Sequence, residues 1–197
     1  MGRRGPSAER YGRDGISFVQ TKLVKSRCEY CSKCPNRLFA KDEETIVFGT
    51  GTIVTNTVLV LPTIEEQYFE NSNIINILAA IYSSYTNRNM FEDVYITFAT
   101  KCHRLNDYNT FAEAYKQCKA ILKYELYKIH PTDIVLLGPY THNLLCNEDN
   151  CGYARLHRLI NPNVFYTDRQ LWEVFKRRFG LLMVQLLNRL YDKIKVL

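Results

Sequence analysis

No stretch of this 197-residue chain comes near the roughly 18 consecutive apolar residues that a membrane span needs. A soluble protein is expected. The opening MGRRGPSAERYGRDG is basic, yet it lacks the apolar core of a secretory signal and no small-residue cleavage site follows it. Without export, the seven cysteines, an odd number, do not suit a disulfide framework. The expected compartment is therefore reducing and intracellular, cytoplasmic or nuclear. Internal repeats and low-complexity tracts are also missing. The length allows one domain with a real core and is short for two. A Gly- and Arg-rich arm over residues 1–20, followed by a single domain over 21–197, is the expected organisation.

What is present is a moderate excess of positive charge, +6, gathered in patches rather than spread. The patches are the leader, Lys101 to Arg104, Arg155 to Arg158, and Lys176 to Arg178 in FKRRF. Clustered cations favour a polyanionic partner, most often nucleic acid, although solvated basic faces are common. Between the patches the apolar pattern alternates between two kinds. VLVLP at Val58–Pro62 and DIVLLGP at Asp133–Pro139 are short continuous apolar runs, and DVYITFAT from Asp93 is β-branched and aromatic; these predict strands, the runs buried on both faces.

Helices are predicted between them. NIINILAAIYSSY from Asn73 places Ile74, Ile77, Leu78 and Ile81 on one stripe. A long helix is expected to open on a capping box of Thr110 and Glu113 and to stop before Pro131. YTHNLL starts another. The last segment has Thr167 and Gln170 in capping spacing and runs through LWEVFKRRFGLLMVQLLNRLYDKI with a kink expected at Gly180. There Trp172, Phe175 and Phe179 should face the core and Lys176, Arg177 and Arg178 the solvent, with surplus apolar surface offered to a protein partner. Strands alternating with helices form a parallel sheet with helices on both faces.

The cysteines carry the sharpest signal. Cys28, Cys31 and Cys34 are each separated from the next by two residues; Cys102 ends the second strand and Cys118 lies inside the helix that follows. Thiolates from a close pair and two distant single residues suit tetrahedral zinc or an iron–sulfur cluster. Two other readings stay open: Cys102 and Cys118 as small core hydrophobes, and zinc held by Cys28, Cys31 and Cys34 with Cys146 or Cys151.

The order and rough spacing of CSKCPNRLF, IVFGTG, VLVLP, VYITFATKCHR, the Cys118 helix and DIVLLGP resemble the type 4, iron–sulfur uracil-DNA glycosylases over about residues 28 to 145. Cys102 lies 68 positions after Cys34, and Cys118 another 16 on, which is similar to the ligand frame of that family. The resemblance implies a three-layer α/β/α fold around a central, mainly parallel four-stranded sheet. It also implies a [4Fe–4S] cluster, with zinc as the alternative, on Cys31, Cys34, Cys102 and Cys118, Cys28 being spare or able to replace one of the first two. The cluster would be structural, tying the N-terminal segment to the second strand and its helix.

The family's chemistry is not matched. Where its Gly-Glu turn would fall stand Leu61 and Pro62; where its base-reading Asn would fall stands Phe98; its late His-Pro is best matched by Asn161 and Pro162. Phe98 can stack but cannot hydrogen-bond a base edge, so it is either a core residue or a platform in a pocket with Tyr68 and Phe69. No catalytic residue is assigned. Lys101, His103, Arg104, Arg155 and Arg158 are the expected phosphate contacts, His157 lying in the same strip. The resulting expectation is a DNA-binding module, or a member of a viral replication or repair assembly, without uracil excision. An active glycosylase of altered specificity using Glu65 or Glu66, and a protein scaffold, are the alternatives.

Overall fold

The computed structural model describes residues 49–62, 73–101, 108–145, 153–162 and 167–195. Five strands form one sheet: β1 (Thr50–Gly51), β2 (Thr57–Leu61), β3 (Tyr95–Phe98), β4 (Asp133–Leu137) and β5 (Arg155–Leu159), in the order β1-β3-β2-β4-β5. All neighbours are parallel except β1, which runs antiparallel to β3. The sheet thus has five strands where four were expected. The additions explain themselves: β1 is only two residues long, and β5, RLHRL, has no continuous apolar run because it is an edge strand with one half-solvated side.

Every residue of β2, β3 and β4 is buried, as continuous apolar runs in a two-sided parallel sheet demand. Leu59, Ile96, Phe98, Val135 and Leu137 face one layer; Val58, Val60, Tyr95, Ile134 and Leu136 face the other. Against the first pack α1 (Asn73–Thr86) and α5 (Arg169–Lys195), and against the second pack α3 (Tyr108–Ile129) and α4 (Pro139–Leu145); a short α2 (Met90–Asp93) leads into β3. The sheet therefore carries helices on both faces.

The predicted stripes are the buried ones. On α1 the predicted Ile74, Leu78 and Ile81 are buried together with Tyr82, and Ile77 is partly buried against the same core. Trp172, Phe175, Phe179, Met183 and Leu186 bury one side of α5, the three aromatics stacking with centroids 5.5 and 5.7 Å apart. Each large side chain so buried contributes about 1.5–3 kcal/mol.

Three local expectations are corrected. α3 begins at Tyr108, upstream of Thr110, so Thr110 is inside the helix and not its cap. The cap of α5 is Asp168, whose carboxylate accepts from the amides of Gln170 and Leu171 at 2.9 Å each. A carboxylate that takes two otherwise unpaired amides at the positive end of the helix outcompetes the Thr167 hydroxyl. Gly180 introduces no break, and α5 runs through it; its bare backbone admits the ring of Tyr85 from α1.

Among the described residues no helix is long and apolar enough to cross a membrane. The N-terminal arm lies outside the described residues.

Candidate functional site

The chain order reverses around β2: β3 lies on one side of it and β4 on the other. In open parallel sheets the carboxyl ends on either side of such a reversal form the usual ligand crevice. Here those ends are Leu61, Phe98 and Leu137. Beyond Phe98 the chain stays zipped to β2, with the amide of Ala99 donating to Leu61 O at 2.8 Å and that of Thr100 to Pro62 O at 3.0 Å. β4 ends on Gly138, whose φ of +91° is left-handed and suits glycine. A side chain there would stand 3.4 Å from Cβ of Asn161, so Asn161 lies at this same carboxyl end.

Lys101, the next residue, does not reach outward. Its side chain is 2% exposed; Nζ donates to Thr97 Oγ1 and forms a 2.5 Å salt bridge with Glu125 of α3. Glu125, itself 5% exposed, also accepts from the Thr97 hydroxyl at 2.8 Å and, through its other oxygen, from the Tyr95 hydroxyl at 3.3 Å and the Gly49 amide at 3.5 Å. Burial first, and then the Glu125 charge, push the Tyr95 phenol far above its ordinary value, which keeps it a neutral donor. The expected phosphate contact at Lys101 is thereby corrected: an ammonium in this position is held by a buried carboxylate. Gly49 and Gly51 of IVFGTG belong to the same corner. A Cβ on Gly49 would lie 2.2 Å from the Tyr95 ring, and Gly51, at φ +100°, sits against the Val94 carbonyl. The motif is thus required by close approach to β3.

Arg155 also has a carboxylate partner, but its own side chain stays half exposed. It makes a two-point contact with Asp133, the first residue of β4, at 2.9 and 2.8 Å. His157 Nε2 meets the same carboxylate at 2.8 Å, Thr132 donates to it at 2.8 Å, and Arg189 of α5 approaches to 3.8 Å. Burial alone would raise the Asp133 carboxyl, but the hydrogen bonds from Arg155, His157 and Thr132 outweigh it and hold the group well below the usual carboxylate range. This cluster sits at the amino-terminal end of β4, remote from the crevice. Arg158, one residue on, alternates to the opposite face of β5 and is exposed.

Phe98 is a core residue, 2% exposed and packed with the α1 and α5 layer; as the floor of an open pocket it is corrected. Cys118 is buried at 5% on the sheet-facing side of α3. His103, Arg104, Tyr68, Phe69, Glu65, Glu66, Cys28, Cys31, Cys34, Cys102, Cys146 and Cys151 lie outside the described residues. Among the described residues no three His, Cys, Asp or Glu side chains stand together as a metal-binding group.

Glu125 and Asp133 were not anticipated. Glu125 had a readable sign: it falls on the apolar stripe of its helix with Cys118, Ile121 and Leu122, where a carboxylate needs a buried partner. Asp133 heads an apolar strand, and only the fold brings Arg155, His157 and Arg189 to it.

No protein-family model matches the chain, and no curated protein matches it.

Proposed function

We propose that the chain is an iron–sulfur protein of the uracil-DNA glycosylase type that binds nucleic acid, or a replication or repair assembly, without excising uracil. The observation that carries this is the Lys101–Glu125 pair. It fastens the residue immediately before Cys102 onto α3, on the same side that carries Cys118 two turns away. A buried thiol on the helix to which that segment is fastened fits the donor set of a thiolate-bound cluster. Cys31, Cys34, Cys102 and Cys118 would hold a [4Fe–4S] cluster, which supplies a rigid covalent tie between distant segments. Such a centre belongs in a reducing, intracellular compartment.

Phe98 supports the loss of excision. At the position where the resembled enzymes read the base edge stands an apolar ring committed to the core, which offers neither donor nor acceptor. With Lys101 buried and Arg155 paired to Asp133, the nucleic-acid contacts fall first to Arg158 and to His103 and Arg104.

Iron and sulfide should be measured per chain in anaerobically purified protein, together with incubation on uracil-containing single-stranded DNA. The wild type is expected to hold a cluster and generate no abasic sites. Cys118→Ser is expected to lose most of its iron and visible absorption. Stoichiometric zinc in place of iron, or an unchanged iron content in Cys118→Ser, would remove the cluster; abasic sites lost on Glu65→Ala or Glu66→Ala would reinstate catalysis.

A further inference from the structure

On the layer opposite α3, an open groove of about 540 Å³ lies between α1 and α5, with Ser84 and Tyr85 on one wall and Lys176, Arg177 and Leu181 on the other. Tyr85 is 40% exposed, unusual for an aromatic ring seated between two helices. Gly180 explains its pose. A Cβ placed there would be 2.5, 2.5 and 2.6 Å from Cδ2, Cγ and Cε2 of the ring. Near-equal distances to three consecutive ring atoms mean that Gly180 lies under the face of the ring and not at its edge. One face is therefore spent on the backbone of α5, which leaves the opposite face and the rim of the ring to account for the exposure.

The wall beside it carries two cations, Lys176 and Arg177, and the carboxylate of Glu173. Lys176 is bridged to Glu173 at 2.7 Å. Arg177 and its neighbour Arg178 are exposed and have no ion-pair partner among the described residues. We propose that this groove binds single-stranded nucleic acid, with a base stacked on the open face of Tyr85 and backbone phosphates on Arg177 and Lys176.

The proposal rests on the nucleic-acid reading above and gives it a surface. A flat aromatic face next to cations is what sequence-tolerant binding of single strands uses, and a guanidinium without a carboxylate partner is ready for a two-point phosphate contact. A partner helix fits less well. It needs a row of apolar contacts, whereas among the groove-lining residues Ile81 is only 7% exposed and Leu181 is the single exposed aliphatic side chain, the exposed Leu171 and Val174 of α5 lying outside the lining. A second copy of the chain would bring the same basic wall against itself.

Fluorescence anisotropy of a labelled single-stranded oligothymidylate, titrated with the full chain at several salt concentrations, tests this. Tyr85→Ala and Arg177→Glu are each expected to weaken binding about tenfold or more. Tyr85→Phe, which keeps the ring, should stay within about twofold of the wild type, the limit expected if stacking and not the hydroxyl is used. Arg177→Glu changes an exposed helical position and should leave the thermal melt unchanged. It should also lower the salt slope by about 0.7 for one lost phosphate contact. If both variants bind as the wild type does while Arg158→Glu abolishes binding, the groove falls and the nucleic-acid reading stands. If the wild type itself does not bind, both fall. Polyglutamate displacing the DNA with comparable affinity, in a manner lost in Arg177→Glu, would make this an acidic-peptide surface and overturn the proposal.

Discussion

Two ion clusters, one against β3 and one at the head of β4, solve the same problem in opposite ways. Lys101 and Glu125 form a single pair with both side chains at or below 5% exposure, closed off by Thr97, Tyr95 and Gly49. Asp133 is just as buried, but its cations arrive from the surface: the Arg155 side chain is 49% exposed, and Arg189 is similarly open. In the first cluster neither charge can find water if its partner is lost. In the second, only the carboxylate is trapped, and each cation can withdraw into solvent. The first should therefore be rigid and intolerant of change, the second graded and responsive to pH and salt.

Breaking the closed pair should have the largest effect. Lys101→Met leaves Glu125 buried without its cation and is expected to destabilise the fold by about 3–5 kcal/mol in urea unfolding. Adding Glu125→Leu should recover much of that loss, since an apolar pair of similar volume is often as stable as a buried ion pair. A double variant no better than the single one would mean that the pair is not isolated as described.

The open cluster should respond next. Asp133→Asn removes a charged acceptor of several hydrogen bonds, expected to cost about 1.5–3 kcal/mol at neutral pH. Because the folded-state value of Asp133 is depressed, its contribution is complete above the unfolded carboxyl value of about 3.9 and is lost as pH falls through and below it. The wild type should lose stability on acidification below about pH 4 more steeply than Asp133→Asn. Parallel acid profiles would show that Asp133 is not the group responsible.

The smallest change is expected for Arg189→Ala. Its contact is long, 3.8 Å, and half exposed, so the loss should be below about 1 kcal/mol and vanish in high salt. A larger, salt-independent loss would place Arg189 with the closed kind of pair.

The contrast also marks where the sequence could be read. Continuous apolar runs made β2 and β4 legible, a β-branched and aromatic stretch β3, helical stripes α1 and the aromatic side of α5, and the stop before Pro131 the end of α3, because those patterns are local. Lys101 and Arg155 were read as surface cations, because a basic residue in a loop or beside other cations looks solvated until its partner is known. For Lys101 that partner is 24 residues ahead, on the next helix. For Arg155 it lies 22 residues back, across a strand pairing. β1 and β5 escaped notice since a two-residue strand and an edge strand of alternating charge carry no apolar run. Phe98 was legible as a choice between core and pocket, and packing against α1 and α5 settles it as core. Of the cysteine frame only Cys118 falls in the described residues, and its burial suits either a ligand or a plain core thiol.

The central position of β2 has a bearing on how the chain is made. Emerging from the ribosome, β2 can pair with β3 once the segment between them is out, but its other edge stays bare until β4 follows, Thr57 meeting Asp133 only after α3 has been synthesised. During that interval a mostly apolar strand displays unsatisfied amides to its surroundings. The nascent protein is then most open to capture by chaperones or by strands of neighbouring chains, and slowing translation across α3 would prolong that exposure.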